Sequence, residues 1–155
     1  MLMIARDRDY PELRDALIGK RVLIWTCNTC ARLCNDIGGT DAAKRLSEAL
    51  KKDGIDVVGI MFTHASCIEK VVKAKEDVEV LGKVDVVVSL TCDTGSICVS
   101  SVFHKEVINP IFTFGPGCIK EDGSLVIWKK SGETVTYEGI ADVASRIGLK
   151  SEPFV

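Results

Sequence analysis

RVLIWTCNTCARLC, residues 21–34, runs from a short apolar stretch directly into Cys27, Cys30 and Cys34. "RVLIW" has the near-continuous apolar character of a strand covered on both faces. The pattern returns in "IDVVGIMF" (55–62) and "VDVVVSL" (84–90), and "NPIFTF" (109–114) is expected to be a fourth strand. Amphipathic stretches separate them. "DAAKRLSEALKKDG" (41–54) puts Ala42, Leu46, Ala49 and Leu50 on one helical face, with Gly54 as a stop. "CIEKVVKAKEDVEVLGK" (67–83) is expected to be a second helix with Ile68, Val71 and Val72 turned inward, and a third helix spans about 94–105. Apolar strands alternating with helices define an α/β fold: a doubly wound, mainly parallel sheet with helices on both faces.

The flanks complete this plan. Pro11 in "YPELRDALI" suits the first turn of an opening helix. The Asp-Gly pair in "EDGSLVIWKK" (121–130) predicts a C-terminal hairpin between Ile119 and "LVIW". "YEGIADVASRIGL" (137–149) has Ile140, Val143, Ala144 and Ile147 at helical spacing. No repeat, low-complexity tract or linker interrupts the 155 residues, so residues 1–155 are expected to form a single domain.

Composition removes several function classes. A formal net charge of −2, with scattered Lys and Arg, offers no footprint for nucleic acid or an acidic membrane surface. No apolar run approaches the roughly 20 residues a membrane helix needs. The opening residues turn charged at Arg6, before any export-length segment, so the chain is expected in the cytoplasm. Thiols stay reduced there. Seven cysteines then read as metal ligands or redox groups rather than a disulfide scaffold, and the odd number argues against complete pairing.

Their positions carry the most information. Cys27 follows the first strand, with Cys30 and Cys34 four apart just beyond it. Cys67 follows the second strand in "THASC", Cys92 the third in "SLTCDTG", and Cys118 the fourth; Cys98 falls in the helix after Cys92. The cysteines therefore collect at the carboxyl ends of the strands, where open α/β sheets bind ligands. Thiolates suit zinc or an iron–sulfur cluster. Structural zinc usually shows two paired knuckles, and no second Cys-x2-Cys is present. Three close cysteines plus a distant one favour a 4Fe–4S cluster, with zinc as the alternative. A thiol oxidoreductase using Cys27–Cys30 is a further reading, since a helix N-terminus can lower a thiol pKa. It leaves Cys34, Cys67 and Cys92 without a task. Inert buried cysteines are the remaining reading.

In order along the chain, an opening helix precedes "KRVLIWTCNTCARLCNDIGG", a single cysteine stands in "THASC", and "CDTG" follows the third strand. Over about residues 10 to 115 this resembles the cysteine-rich domain associated with methylenetetrahydrofolate reductase, in particular the small iron–sulfur subunit of the acetogen-type enzyme. The resemblance implies an electron-transfer subunit serving a flavoprotein oxidoreductase partner in a hetero-oligomer, as an accessory to catalysis. Carried over by position, Cys27, Cys30, Cys34 and Cys67 are the implied ligands, with Cys92 competing for the fourth place. Cys98 and Cys118 lie outside the family's pattern.

Other residues are expected to play structural parts. "NDIGGTD" (35–41) could offer N–H groups to an anion but is expected to turn the chain, with Thr40 or Asp41 capping the next helix. "TCDTGS" (91–96) is expected to shield the site or cap a helix. Trp25 is expected in the core, His64 near the cysteines, His104 at a helix end, and "FGPG" (114–117) in a loop. No catalytic carboxylate pair and no Ser-His-Asp set is visible.

Overall fold

The computed structural model describes residues 2–7, 10–34, 36–128 and 134–136. Strand β1 (Leu2–Asp7) and helix α1 (Tyr10–Leu17) lead into β2 (Arg21–Cys27), α2 (Cys30–Leu33), α3 (Thr40–Lys52) and β3 (Asp56–Thr63). Then come α4 (Glu69–Lys73), α5 (Val78–Gly82), β4 (Val86–Leu90), α6 (Asp93–Phe103), β5 (Glu106–Ile108), β6 (Ile111–Ile119), β7 (Leu125–Trp128) and β8 (Thr134–Thr136). Among the described residues the strands form two sheets, one in the order β3-β2-β4-β5 and one in the order β1-β6-β7-β8.

The first sheet is parallel throughout. Side chains alternate across a strand, and β2 shows the consequence. Val22 and Ile24 pack with Val86, Val88 and Leu90 of β4 under α1 and α3, through Leu13, Leu17, Ala43, Leu46 and Leu50. Leu23 and Trp25 face the other way, against Val72 of α4, Leu81 of α5 and Val99, Val102 and Phe103 of α6. Each large apolar side chain fully buried this way contributes about 1.5–3 kcal/mol. This is the doubly wound arrangement read from the sequence.

Helix α3 ends where expected. Gly54 takes a left-handed φ of 81°. The Gly54 N–H bonds to Lys51 O at 3.0 Å and the Ile55 N–H to Leu50 O at 3.0 Å, a Schellman closure. Its start differs from expectation: the cap residue is Gly39, not Thr40 or Asp41. Asn28, just past β2, supplies the acceptor instead, its Oδ1 taking the Thr40 N–H at 2.9 Å. The helix expected over 67–83 is split in two, because Asp77 accepts the Val80 N–H at 3.0 Å and starts a new helix, α5. Ile68 lies before α4 and is 50% exposed rather than inward, whereas Val72 is buried. His104 closes α6 in a left-handed conformation, at the helix end as expected.

The fourth strand differs too. The segment completing the parallel sheet is β5, and the chain turns at Asn109–Pro110, where Asn109 Oδ1 accepts the Ile111 N–H at 2.9 Å. Residues 111–119 then join the second, antiparallel sheet, pairing with β1 and with β7. The predicted hairpin is present, Ile119 facing Leu125. "FGPG" is strand rather than loop: β6 slips register against β1 between Ile4 and Ala5, and that bulge takes up Phe114. At Pro116 the strand has β1 beside it while β7 pairs only from Gly117 onward, an edge-like setting in which a residue without an N–H is tolerated. Cys118 consequently lies within β6, opposite Val126, and not at the end of a parallel strand. The expected closing helix at 137–149 lies outside the described residues.

Candidate functional site

With β3 on one side of β2 and β4 on the other, the chain reverses its direction of progress across the sheet at β2 and β4. The crevice beyond the carboxyl ends of such a strand pair is the usual ligand site of an open α/β sheet. Cys27 is the last residue of β2 and Cys92 the N-cap of α6, two residues past β4, so the two thiols flank that crevice. Cys30 opens α2 and Cys67 stands in the turn between β3 and α4.

Three of these thiols act on the fourth, Cys92. Burial pushes the Cys92 thiol upward, and neighbouring Cys30, Cys67 and Cys27 raise it further. The Gly95 N–H in the first turn of α6 opposes the shift, as a helix N-terminus does for a negative charge. Cys98, farther along α6, is raised by burial first, then by Glu69 and Cys67. No disulfide joins the seven cysteines.

Cys34 is placed differently. It is fully buried in a small apolar cluster with Leu125 of β7, flanked by Ile37, Phe114 and Ile127. The antiparallel sheet therefore covers Cys34. Cys118 belongs to that sheet as well.

The surrounding backbone is tightly held. Asn28 N–H bonds to Thr63 O at 2.8 Å, the Thr29 hydroxyl to His64 O, and Gly39 N–H to Thr26 Oγ1 at 2.7 Å. The Gly38, Gly39 and Thr40 N–H groups are all paired within the protein, so this part of "NDIGGTD" holds the turn. Gly38 lets this turn lie against β4: a Cβ there would fall 2.4 Å from Ala31 Cβ and 2.8 Å from Leu90 O. On the other face the Trp25 indole N–H donates to Ser66 Oγ at 2.8 Å, and its ring meets Phe103 edge-on at 5.2 Å. Trp25 is thus a core residue that also fixes the turn before Cys67. Ser89, Thr91 and Ser96 form a buried hydroxyl triangle beneath the N-terminus of α6, with sides of 2.9 to 3.1 Å. The Asp93 N–H bonds to Thr113 Oγ1 at 2.8 Å, tying "TCDTGS" to the antiparallel sheet. His64 is exposed, its ring edge-on to Phe62.

Ser66, Gly95, Asn28 and Thr113 are therefore structural partners of the site that sequence reading missed. Adjacency to a cysteine was the only signal for Ser66, and nothing local announced Thr113. Among the described residues no three Cys, His, Asp or Glu side chains surround a single point closely enough to hold one metal ion. Four sulfurs on one zinc stand about 3.8 Å apart, given Zn–S bonds of about 2.3 Å in a tetrahedron. A cubane cluster is larger and takes its four thiolates more widely spaced. The donor chemistry, four thiols, is one that both zinc and an iron–sulfur cluster accept.

Among the described residues no helix is long and apolar enough to cross a membrane. Comparison with known proteins found no matching family model, no matching curated protein and no matching solved structure.

Proposed function

We propose that this chain binds one 4Fe–4S cluster at the carboxyl end of its parallel sheet and relays single electrons within a larger complex. The observation that carries the reading is the placement of four thiols, Cys27, Cys30, Cys67 and Cys92, at or just beyond three strand ends on one edge of the parallel sheet, with the first three near enough to raise the fourth. These four are the ligand set we favour. Cys34, which the family resemblance would include, is buried under the antiparallel sheet, and we place it outside the set on that ground. Bound, the group would supply a reversible one-electron couple whose potential depends on burial and on hydrogen bonds to sulfur.

The chain's own residues would do the rest. They hold the thiols through Asn28, Thr29 and the Trp25–Ser66 pair, and exclude water on the Cys27 and Cys92 side, both buried. Cys67 is exposed, and Leu33, Ile68 and Ile97 present apolar surface at 51%, 50% and 70% exposure on the elements that carry the site. That surface suits docking of a flavoprotein subunit, as in methylenetetrahydrofolate reductase, in the cytoplasm. The chain would then be a non-catalytic subunit.

The test is an anaerobic iron and sulfide assay with an ultraviolet–visible spectrum. About four irons and four sulfides per chain, with absorbance bleached by dithionite, is the expected result. Zinc alone would end the electron-transfer reading. A reversible Cys27–Cys30 disulfide in metal-free protein would replace it with thiol oxidoreduction.

A further inference from the structure

Ser66 is 1% exposed and stands between two thiol-bearing segments. It immediately precedes Cys67 in sequence. Its Cβ also lies against α6, 3.0 Å from where a side chain on Gly95 would begin, in the helical turn that Cys92 caps. Its oxygen accepts the Trp25 indole N–H at 2.8 Å. A hydroxyl has one proton to give as well as lone pairs to receive. Among the described residues no acceptor takes the Ser66 proton, although the nearby hydroxyls of Ser89, Thr91 and Ser96 all bond to one another. A buried donor without an acceptor costs about 1–3 kcal/mol and calls for a reason. Trp25 needs only an acceptor, so that contact does not explain why the residue should carry a donor.

We propose that Ser66 donates its hydroxyl proton to a sulfur at the thiol site and so raises the reduction potential of the group held there. The inference rests on the iron–sulfur reading above. Reduction adds negative charge to the sulfurs, and a fixed donor stabilises the reduced form more than the oxidised one. The indole holds the Ser66 oxygen in place, which fixes where the remaining proton can go.

The experiment compares wild type, Ser66→Ala, Ser66→Thr and Trp25→Phe, each loaded anaerobically and assayed for iron, sulfide and midpoint potential. Ser66→Ala is expected to keep its cluster and shift to a more negative potential, being less than half reduced where wild type is half reduced. Ser66→Thr, which retains the hydroxyl, should return toward the wild-type value. A Ser66→Ala potential equal to wild type, or a Ser66→Thr variant that behaves as Ser66→Ala, overturns the proposal. If Ser66→Ala holds no iron, the other variants decide. Loss shared by Trp25→Phe assigns Ser66 to holding the turn and overturns it, whereas loss confined to Ser66→Ala and rescued by Ser66→Thr supports it. Wild-type protein that takes up no iron and sulfide overturns the parent reading as well, so the two failures are separable.

Discussion

Gly95→Ala tests whether the two halves of the site are held by close packing at the start of α6. In an open helix this substitution stabilises by about 1 kcal/mol, since alanine has the better helix propensity. Here the new Cβ would stand 2.9 Å from Thr91 Oγ1 and 3.0 Å from both Thr91 Cβ and Ser66 Cβ. Neither neighbour can give way cheaply. The Thr91 hydroxyl is bonded to Ser89, Ser96 and the Cys92 carbonyl, and Ser66 is bonded to Trp25. Overpacking of a buried site costs about 1–3 kcal/mol. It outweighs the propensity gain, for a net loss of about 1 kcal/mol. That corresponds to a fall of about 2–4 °C in Tm for a chain of this size. Gly82, at the end of α5, has no atom within 4 Å of where a Cβ would stand, so Gly82→Ala is the control and should gain about 0.5 kcal/mol. Urea melts of the metal-free variants read both values. A Gly95→Ala protein as stable as Gly82→Ala would refute the close packing. The same variant should load less iron, because the strain falls on the segments bearing Cys67 and Cys92.

Three further outcomes are expected. Gly38→Ala should be the harsher glycine variant, losing about 3 kcal/mol in urea melts, because its Cβ meets the backbone Leu90 O and the rotamer-less Ala31; a loss under about 1 kcal/mol would show that the turn relaxes. Cys92→Ala should abolish most iron binding, whereas Cys34→Ala should retain it and lose only about 1 kcal/mol of stability; the reverse pattern in an iron assay would restore Cys34 to the ligand set. Asp85 accepts hydrogen bonds from Arg21 N, Nε and Nη2 at 2.8, 3.1 and 2.9 Å, which lower its pKa from 3.8 to about 2. Its contribution is therefore complete above about pH 4 and lost as pH falls toward 2. Both partners are exposed, so the effect is small and salt-sensitive. Asp85→Asn should flatten the acid limb of urea midpoints measured between pH 2 and 5, and an unchanged slope would show that the pair contributes nothing.

Local pattern was enough for strands β2, β3 and β4 and for helices α1, α3 and α6. Strand β2 buries residues on both faces, so "RVLIW" reads as continuously apolar, and α3 keeps one apolar stripe ending in a glycine that only a left-handed turn requires. The placing of Cys27, Cys67 and Cys92 after strands also followed from sequence, because in parallel sheets every strand end points the same way. Strand membership did not follow. Residues 111–119 have the apolar content of a fourth strand, yet the turn at Asn109–Pro110 sends them to pair with β1, a partner more than 100 residues earlier whose pairing leaves no local trace.

The chain alone thus placed Cys27, Cys67 and Cys92 at the ends of parallel strands, though not Cys118, because strand and helix periods are written in neighbouring residues. Only the tertiary structure decided which of them face one another. Cys34 is four residues from Cys30 and within reach by spacing, but Leu125, 91 positions later, covers it. Cys92 is far away in sequence and beside Cys27 across the β2–β4 pair. The same holds for Ser66, whose partner Trp25 lies 41 residues earlier. Burial and buried hydrogen bonds depend on which distant surfaces the fold brings together, and no short stretch of chain encodes that by itself.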